Sequence, residues 1–235
     1  MLRIVLIEPL YEGNVGSVAR VMKNFGHADL VLVNPCELGG EARALAAHAT
    51  DVLDGARIVK TISEALENSH LVIGATGIVG KSSSEHMRMP YTSPEKLREQ
   101  LSGISDENII TLLFGREDNG LYNDELRLCE VIVNIPLNAE YPVMNLSHAV
   151  AILLYELSHI ECGEIELAET FDCDLLYAHL DELLSDIGYP PHKHQKTSLM
   201  LKRIFGRAIL MPREVHTLRG VLKYIQKRVQ HKSNI

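Results

Sequence analysis

Two stretches in the middle of the chain place bends rich in Gly, Pro, Asn and charged residues directly after apolar segments. They read LFGREDNGL at residues 113–121 and IPLNAEYPVMNLSHAV at residues 135–150. In open α/β sheets, ligands bind at such bends, beyond the carboxyl ends of the strands. The backbone amides of two neighbouring bends can enclose a nucleoside. The pattern therefore predicts an enzyme with an adenosine-type cofactor.

A third bend near the N-terminus contains Asn14, Gly16 and Arg20. Asn and Gly suit a tight turn from strand to helix, and the free amides at a helix start bind anions. Arg20, on the same helix, could direct its planar guanidinium at a phosphate or a hydroxyl group. Taken alone, however, the pattern favours a surface arginine behind an ordinary glycine turn.

Residues 75–82, ATGIVGKS, match a relaxed form of the phosphate-binding P-loop, with Ala75 in place of the first glycine. They follow an apolar strand, as a P-loop does. Lys81 and Ser82 would then contact nucleotide phosphates. The helix that should begin at Lys81 has poor apolar periodicity and soon meets Pro90, so an NTPase is kept as an alternative.

The composition indicates a packed globular protein, with 235 residues of which 46% are hydrophobic. This length suits one domain plus an appendage. No apolar run approaches the roughly 20 residues that span a bilayer, and the N-terminus is too short to be a signal peptide. We expect a cytoplasmic protein. The four cysteines match no zinc pattern, so no metal is expected.

The net charge of −8 hides a strong asymmetry. From Tyr189 onward the chain has eleven Lys and Arg residues and one acidic residue, Glu214. Such a basic end predicts binding to a polyanion, because Lys and Arg contacts to phosphates supply most nonspecific affinity for nucleic acid. A solvated helix pair, or a tail that docks on the acidic body, is the alternative.

Strand and helix patterns alternate along residues 1–160, which predicts a parallel sheet with helices on both faces. The predicted strands cover residues 2–7, 30–34, 58–59, 71–74, 109–114 and 131–135, and the predicted helices cover residues 17–25, 41–49, 63–68, 123–129 and 145–157. Ser63 is the expected N-cap of the third helix. An acidic linker at 161–174 and a basic helical extension at 175–235 follow, with helices at 175–187, 197–210 and 214–229.

Taken together, three motifs resemble the SPOUT-class RNA 2′-O-ribose methyltransferases of the TrmH family, and most closely their TrmJ branch. The motifs are NVGSVAR at residues 14–20, LFGREDNGL at 113–121, and IP at 135–136 followed by MNLSHAV at 144–150. Their order and approximate spacing match the family over residues 1–160. The C-terminal segment also resembles the helical extension of that branch, with LRG at residues 218–220.

The resemblance implies a parallel sheet whose C-terminal part forms a deep trefoil knot, an exception to the rule that chains are unknotted. It also implies a homodimer with the active site at the subunit interface. The knot loops would bind S-adenosylmethionine and release S-adenosylhomocysteine, and the apparent P-loop becomes one of them. The implied cofactor-binding residues are Ala75, Thr76, Gly77, Gly115, Ile135, Pro142, Val143 and Met144.

The catalytic residue carried over from the family is Arg20, which would act on a ribose 2′-hydroxyl without a metal. Arginine stays protonated in proteins, so it acts either as a base in a special environment or by orienting the hydroxyl and stabilising the alkoxide. Asn14 and Asn145 would shape the pocket, and Glu117 could hold Arg20 or accept the proton. Val143 stands where many relatives have Ser, which removes a hydroxyl near the cofactor or target.

The TrmJ-like motifs imply a tRNA substrate, methylated at the ribose of nucleotide 32 in the anticodon loop. Cytidine is the expected base, with uridine as a second candidate. In the basic extension, Lys202, Arg203 and Arg207 are the expected RNA contacts. Two alternatives stay open at this point: the P-loop NTPase, and an RNA-binding protein with a degenerate cofactor site.

Overall fold

The computed structural model describes residues 1–79, 86–138, 140 and 143–233. Its centre is a six-stranded sheet with the order β3-β2-β1-β5-β4-β6, and every pair of neighbouring strands is parallel. The strands are β1 (Leu2–Ile7), β2 (Asp29–Val33), β3 (Arg57–Val59), β4 (Leu71–Ala75), β5 (Ile110–Phe114) and β6 (Val131–Val133). The predicted parallel sheet is confirmed.

Helices connect the strands and extend the chain beyond the sheet. They are α1 (Glu12–Asn24), α2 (Gly40–Ala46), α3 (Thr50–Asp54), α4 (Ile62–Ala65), α5 (Pro94–Leu101), α6 (Asn123–Leu128), α7 (Leu146–Leu157), α8 (Thr170–Asp186), α9 (Pro191–Ala208) and α10 (Pro212–Ser233). Single 3-10 turns occur at Ala47–Ala49 and His86–Arg88. Residues 80–85, which include Lys81 and Ser82, lie outside the described part of the chain.

Helices cover both faces of the sheet, because side chains of a strand point alternately to opposite faces. In β1, Ile4 and Leu6 belong to a core with α1, α2, α3, α5 and α7. Val5 and Ile7 belong to a second core, which α4, α6 and α9 complete. A strand buried on both faces reads as a continuous apolar run, which is why the sequence pattern found it.

Helix α1 begins earlier than predicted, so the expectation of a bend at Asn14 and Gly16 is wrong. Both residues lie in the first turns of the helix. Gly16 is needed for close packing rather than for a turn, since a Cβ there would overlap the backbone of Ala42 in α2. The distant residue that stabilises this helix start belongs to the site described below.

Other helices also differ from the prediction. The helix predicted at 41–49 ends at Ala46, and α8 and α9 begin at Thr170 and Pro191 rather than at residues 175 and 197. Helix α4 has Thr61, not Ser63, as its N-cap: the Thr61 hydroxyl accepts a hydrogen bond from the Glu64 amide at 3.3 Å. Helix α5 was not predicted, although its start carries a standard signal, with Ser93 as the cap and Pro94 in the first turn.

The C-terminal extension contacts the body in two ways. The chain at 161–169 packs on the body through Asn108, which donates to the carbonyl of Ile165 at 3.2 Å and accepts from the amide of Leu167 at 3.0 Å. Helix α9 inserts Leu199 into the second core, whereas α8 and α10 pack mainly on each other. Within the described ranges, no helix combines the length and apolar character needed to cross a bilayer.

Candidate functional site

Loops after three strands form a narrow groove at the carboxyl edge of the sheet. Since β5, β4 and β6 are adjacent and parallel, the loops that leave them lie side by side. The groove has a volume of about 100 Å³. Its lining residues are Ala75, Thr76, Gly77, Phe114, Gly115, Arg116, Glu117, Gly120, Val133, Ile135, Leu137, Met144, Leu146 and Ala149.

Six of the eight residues predicted to bind a cofactor line this groove: Ala75, Thr76, Gly77, Gly115, Ile135 and Met144. Val143 lines the neighbouring, larger groove instead. Pro142 lies outside the described residues. The structure therefore brings together segments that are about 60 residues apart in the sequence.

The wall after β5 is a tight turn that requires glycine. A Cβ on Gly115 would overlap the backbone of Gly120 and Leu121. The amide of Gly120 donates to the carbonyl of Arg116 at 2.8 Å, and Gly120 itself has a φ of +64°, a conformation that glycine adopts readily. Two glycines thus allow the chain to fold back on itself beside the groove.

Arg116 fastens this turn to the body. Its Nε donates to Glu8 at 2.7 Å, its Nη1 donates to Glu125 at 2.9 Å, and the guanidinium lies 4.0 Å from the ring centre of Tyr122. Burial lowers the pKa of Arg116, but the hydrogen bonds and charges of Glu8 and Glu125 outweigh it, so the pKa is raised. Arg116 is therefore a fixed cation with both carboxylate partners in place.

The loop after β4 is held by the strand beside it. The amide of Thr76 donates to the carbonyl of Val133 at 3.0 Å, and Nδ2 of Asn134 donates to the carbonyl of Thr76 at 2.7 Å. The Thr76 hydroxyl accepts from the amide of Ile78 at 3.3 Å. The backbone of this loop is consequently fixed relative to β6.

A second, wider groove of about 920 Å³ continues from the first, with which it shares Glu117, Leu137, Met144 and Leu146. Helix α1 forms one side through Asn14 and Ser17. Large apolar side chains on its rim are exposed, among them Tyr11 at 63% and Val143 at 55%. A narrow pocket with an apolar floor thus opens into a broad surface that could receive a larger molecule.

A chain of hydrogen bonds joins the three sequence motifs at the junction of the two grooves. The Ser147 hydroxyl donates to Oδ1 of Asn145 at 2.8 Å, and Nδ2 of Asn145 donates to Oδ1 of Asn14 at 2.9 Å. Nδ2 of Asn14 then donates to the carboxylate of Glu117 at 2.8 Å. Residues more than a hundred positions apart therefore form one polar cluster.

In the single chain, the Glu117 carboxylate forms no hydrogen bond or ion pair with Arg20. The Glu117 carboxylate instead accepts from the backbone amides of Leu10 at 2.9 Å and Tyr11 at 3.4 Å, as well as from Asn14. A carboxylate next to these amides accepts hydrogen bonds from free donors at the start of α1. Its negative charge also interacts favourably with the positive end of the helix dipole. Glu117 thus positions both the helix and Asn14.

Arg20 lies on the exposed side of α1. It lines neither groove, and within the described part of the chain it forms no hydrogen bond or ion pair. Its guanidinium is therefore available to a molecule outside this chain. The single chain brings Asn14, Glu117 and Asn145 together, but it does not complete a site around Arg20.

The comparisons with known proteins cover both parts of the chain. The model of the SpoU rRNA Methylase family matches residues 1–155. The chain belongs to this family. Residues 172–234 match the model of the C-terminal domain of the tRNA methyltransferase TrmJ. Because the SpoU match includes residues 75–79 and the stretch that follows, the P-loop NTPase interpretation is set aside.

Full-length relatives place this SpoU methylase in the TrmJ branch. The tRNA (cytidine-2′-O-)-methyltransferase TrmJ of Methanocaldococcus jannaschii is 36% identical over 95% of this chain and 99% of its own length. The tRNA (cytidine/uridine-2′-O-)-methyltransferase TrmJ of Pectobacterium atrosepticum is 37% identical over 96% of this chain and 97% of its own length. The crystal structure of TrmJ from Z. mobilis ZM4 superimposes with a TM-score of 0.73 at 29% identity, and the match covers 96% of this chain and 99% of that one. The resemblance inferred from the motifs is confirmed.

One of the three predicted RNA contacts in this SpoU methylase is corrected by the structure. Arg203 is only 1% exposed, and its guanidinium donates to backbone carbonyls inside the protein. Lys202 is also turned inward, with Nζ 2.9 Å from the carbonyl of Leu128, and Arg207 is half-buried. The basic pattern was right about charge but could not show which face of α9 packs on the body.

Sequence reasoning missed residues that shape the grooves. Phe114, Val133 and Leu137 are apolar lining residues, and the first two are the last residues of strands, a position that could have indicated them. The anchoring role of Arg116 had no such signal, because its partner Glu8 lies 108 residues away in the sequence. Among the described residues, no cluster of His, Cys, Asp and Glu could hold a metal ion.

Proposed function

We propose that this protein is an S-adenosylmethionine-dependent tRNA methyltransferase that methylates the ribose 2′-hydroxyl of nucleotide 32 in the anticodon loop. The observation that carries the proposal is the polar cluster Asn14–Glu117–Asn145 beside a glycine-walled groove, in a chain that matches TrmJ proteins over their full length. The family supplies the reaction, and the cluster joins the residues that the three motifs contribute.

The narrow groove is the proposed cofactor site, with Ala75, Thr76, Gly77, Gly115, Ile135, Pro142, Val143 and Met144 around the ligand. Its floor is apolar, which suits the faces of an adenine ring and a methionine chain. Of the side chains described there, one is a cation, Arg116, which is already bonded to Glu8 and Glu125. Such a lining suits a nucleoside without phosphates better than a nucleoside triphosphate.

When bound, S-adenosylmethionine supplies a methyl group on a sulfonium centre, and the product is S-adenosylhomocysteine. Arg20 is the proposed catalytic residue. Since arginine stays protonated, we assign it the role of orienting the 2′-hydroxyl and the adjoining phosphate and of stabilising the developing alkoxide. Asn14 and Asn145 are proposed to contact the ribose, while Glu117 holds Asn14 in place.

We also propose a homodimer in which Arg20 of one protomer faces the cofactor groove of the other. Two features support this: Arg20 lines neither groove of its own chain, and the wide groove is bordered by the exposed apolar side chains of Tyr11, Leu45 and Val143. A second protomer would cover this surface, as isologous dimers do. We place the enzyme in the cytoplasm, where its tRNA substrate is found.

The proposed deep trefoil knot comprises the chain that follows β5. The loop after β6 lies against the Gly115 turn in the narrow groove, and α7 then packs on α1. Passing one of these segments through the other would bring residues 135 and 144 to opposite sides of the same ligand. The knot would therefore hold the cofactor loops together without many side-chain contacts.

The basic extension, residues 175–235, is the proposed tRNA-binding part, with α10 rather than Arg203 as its outer surface. Arg213, Lys223, Lys227 and Arg228 are exposed on α10, whereas Lys202 and Arg203 point inward. Half or more of nucleic-acid contacts are to phosphates and sugars. An exposed row of cations is the arrangement that such contacts require.

Methylation of tRNA transcripts tests the substrate. We would compare C32, U32, A32 and G32 transcripts with one that carries 2′-deoxycytidine at position 32. The proposal expects methyl transfer to C32 and U32 and none to the deoxy transcript, because the acceptor oxygen is missing. Undiminished transfer to the deoxy transcript would move the target away from this ribose.

Mixing two inactive variants tests the interface site. Arg20→Ala and Gly115→Val each remove one half of the proposed site, so a heterodimer of the two keeps one intact site. If the halves come from different protomers, mixing should restore about a quarter of wild-type activity, the statistical share for a symmetric dimer. No recovery after verified subunit exchange would place both halves in one protomer.

A further inference from the structure

Arg203 in α9 is a buried cation whose hydrogen bonds all reach the backbone of the methylase body. Its Nη2 donates to the carbonyls of Met87 at 2.7 Å and Leu126 at 3.1 Å, and its Nη1 donates to the carbonyl of Met89 at 3.2 Å. Within the described chain, no carboxylate forms an ion pair with it. Backbone carbonyls therefore supply the hydrogen-bond acceptors of this cation, and among the described residues no acceptor meets its Nε.

Two of the three carbonyls belong to residues 87–89, which lie between β4 and α5 in the sequence. This stretch joins β6 a few residues later, where the amide of Thr92 donates to the carbonyl of Ile132 at 2.8 Å and the amide of Asn134 donates to the carbonyl of Thr92 at 3.0 Å. Arg203 thus fixes a stretch that is bonded to β6 beside Asn134, and the side chain of Asn134 donates to the carbonyl of Thr76 at 2.7 Å.

The third carbonyl belongs to the last turn of α6, where free carbonyls concentrate negative charge. Lys202 donates to the carbonyl of Leu128 in the same turn at 2.9 Å. At the other end of α6, Glu125 binds Arg116 and the amide of Tyr122. Helix α6 therefore connects the cations of α9 with the Gly115 turn of the narrow groove.

Close packing at Gly206 makes this contact possible. A Cβ on Gly206 would overlap Glu130, which lies at the start of β6. The helix consequently approaches the body closely enough for Arg203, one turn earlier, to reach three carbonyls. Removing the guanidinium would leave those carbonyls buried without donors, a state that destabilises the segments carrying them.

We propose that Arg203 is a positioning residue of the cofactor groove: through Met87, Met89 and Leu126 it sets the two loops that wall the groove. The inference rests on the proposed function, because it takes S-adenosylmethionine as the ligand of that groove. It gives the C-terminal extension a second task, which is independent of tRNA. The extension holds the methyl-donor site in its binding geometry.

Calorimetric titration of the full-length protein with S-adenosylmethionine, without tRNA, tests the inference. Arg203→Met should raise the Kd about tenfold or more, and Arg203→Lys, which keeps the charge and some donors, should lie between it and the wild type. Gly206→Ala should raise the Kd as well, since it displaces α9 without removing a cation. The controls Lys193→Met, exposed on α9, and Gly220→Ala, which has open space in α10, should match the wild type.

Steady-state kinetics separate positioning from a loss of folded protein. Positioning predicts a higher KM for S-adenosylmethionine with a smaller change in kcat, whereas partial unfolding would lower kcat at constant KM. If Arg203→Met fails to fold, Gly206→Ala and Arg203→Lys decide the question. Wild-type Kd values in these two variants would overturn the inference, and a wild-type protein that does not bind S-adenosylmethionine would overturn the proposed cofactor itself.

Discussion

At the scale of single residues, the site depends on polar side chains that satisfy each other before any substrate arrives. Asn145 donates a hydrogen bond to Asn14, and Asn14 donates one to Glu117. Glu117 in turn accepts from the backbone amide of Leu10, just before α1. Such a network fixes the orientation of both amides. The ribose would then meet groups that need no rearrangement, which is the condition for efficient electrostatic stabilisation.

Removing the Glu117 carboxylate should loosen this arrangement. Glu117→Ala takes the acceptor from the amides of Leu10 and Tyr11 and from Asn14, and we expect a loss of about 1–2 kcal/mol in the free energy of unfolding. Urea denaturation measures it. Glu117→Gln keeps one acceptor oxygen and should lose less; an Ala variant as stable as the wild type would show that the carboxylate does not stabilise α1.

Arg20 should affect the reaction without affecting the cofactor. Arg20→Ala removes the proposed partner of the alkoxide, so kcat should fall about 100- to 1000-fold. The Kd for S-adenosylmethionine should stay unchanged, because Arg20 is proposed to contact the ribose and its phosphate rather than the cofactor. The matched control is Lys23→Ala on the same helix. Equal losses in the two variants would assign the effect to helix charge.

At the scale of elements, the Gly115 turn and α6 form one unit that Arg116 holds together. The side chains of Arg116 and Glu125 are 8% and 7% exposed, so their ion pair is buried. Breaking a buried pair leaves a charge without its partner, which costs more than the pair contributes. The turn beside the groove is therefore sensitive to changes that lie outside the groove.

A pair of arginine variants around α6 should show this contrast. Arg116→Met leaves Glu125 buried and should lower the free energy of unfolding by about 3–5 kcal/mol. Arg127→Met breaks only an exposed pair with Asp124, whose side chain is 90% exposed, and should change it by less than about 1 kcal/mol. Thermal and urea unfolding of both variants provide the test, and similar losses would contradict the special role of Arg116.

At the scale of the whole molecule, an acidic body carries a basic end, and the fold decides how much of that end is accessible. Helix α9 directs Lys202 and Arg203 at the body, while α10 packs on α8 through an apolar stripe that includes Leu218 and Leu222. Arg213, Lys223, Lys227 and Arg228 consequently face outward. If the extension binds tRNA as proposed, these four cations of α10 supply much of the long-range attraction for the polyanion.

Neutralising α10 should therefore weaken tRNA binding in a salt-dependent way. In the triple variant Lys223→Gln, Lys227→Gln, Arg228→Gln, each lost phosphate contact should reduce the magnitude of the slope of log K against log salt by about 1. Filter binding from low to moderate salt measures this slope. The control replaces Lys60 and Lys96, which are exposed on the body, by Gln. An equal change of the slope in the control would contradict the assignment of α10 as the RNA-binding surface.

Much of the fold could be predicted because its strands carry strong local signals. The apolar runs that became β1, β4 and β5 are buried on both faces, so composition alone located them. The start of α1 could not be located in the same way. It is stabilised by Glu117, more than a hundred residues downstream, and a local pattern contains no trace of such a distant partner.

The sequence by itself determined the chemistry: the glycine-rich bends, the amides and the basic end, whose order identified a methyltransferase family. The tertiary structure decided which of these residues meet. It joined Asn14, Glu117 and Asn145 into one cluster, and it buried Arg203 against the body, although the sequence predicted an exposed cation. The physical reason is that residue type and spacing fix local conformation, whereas burial and partnership depend on packing between elements far apart in the chain.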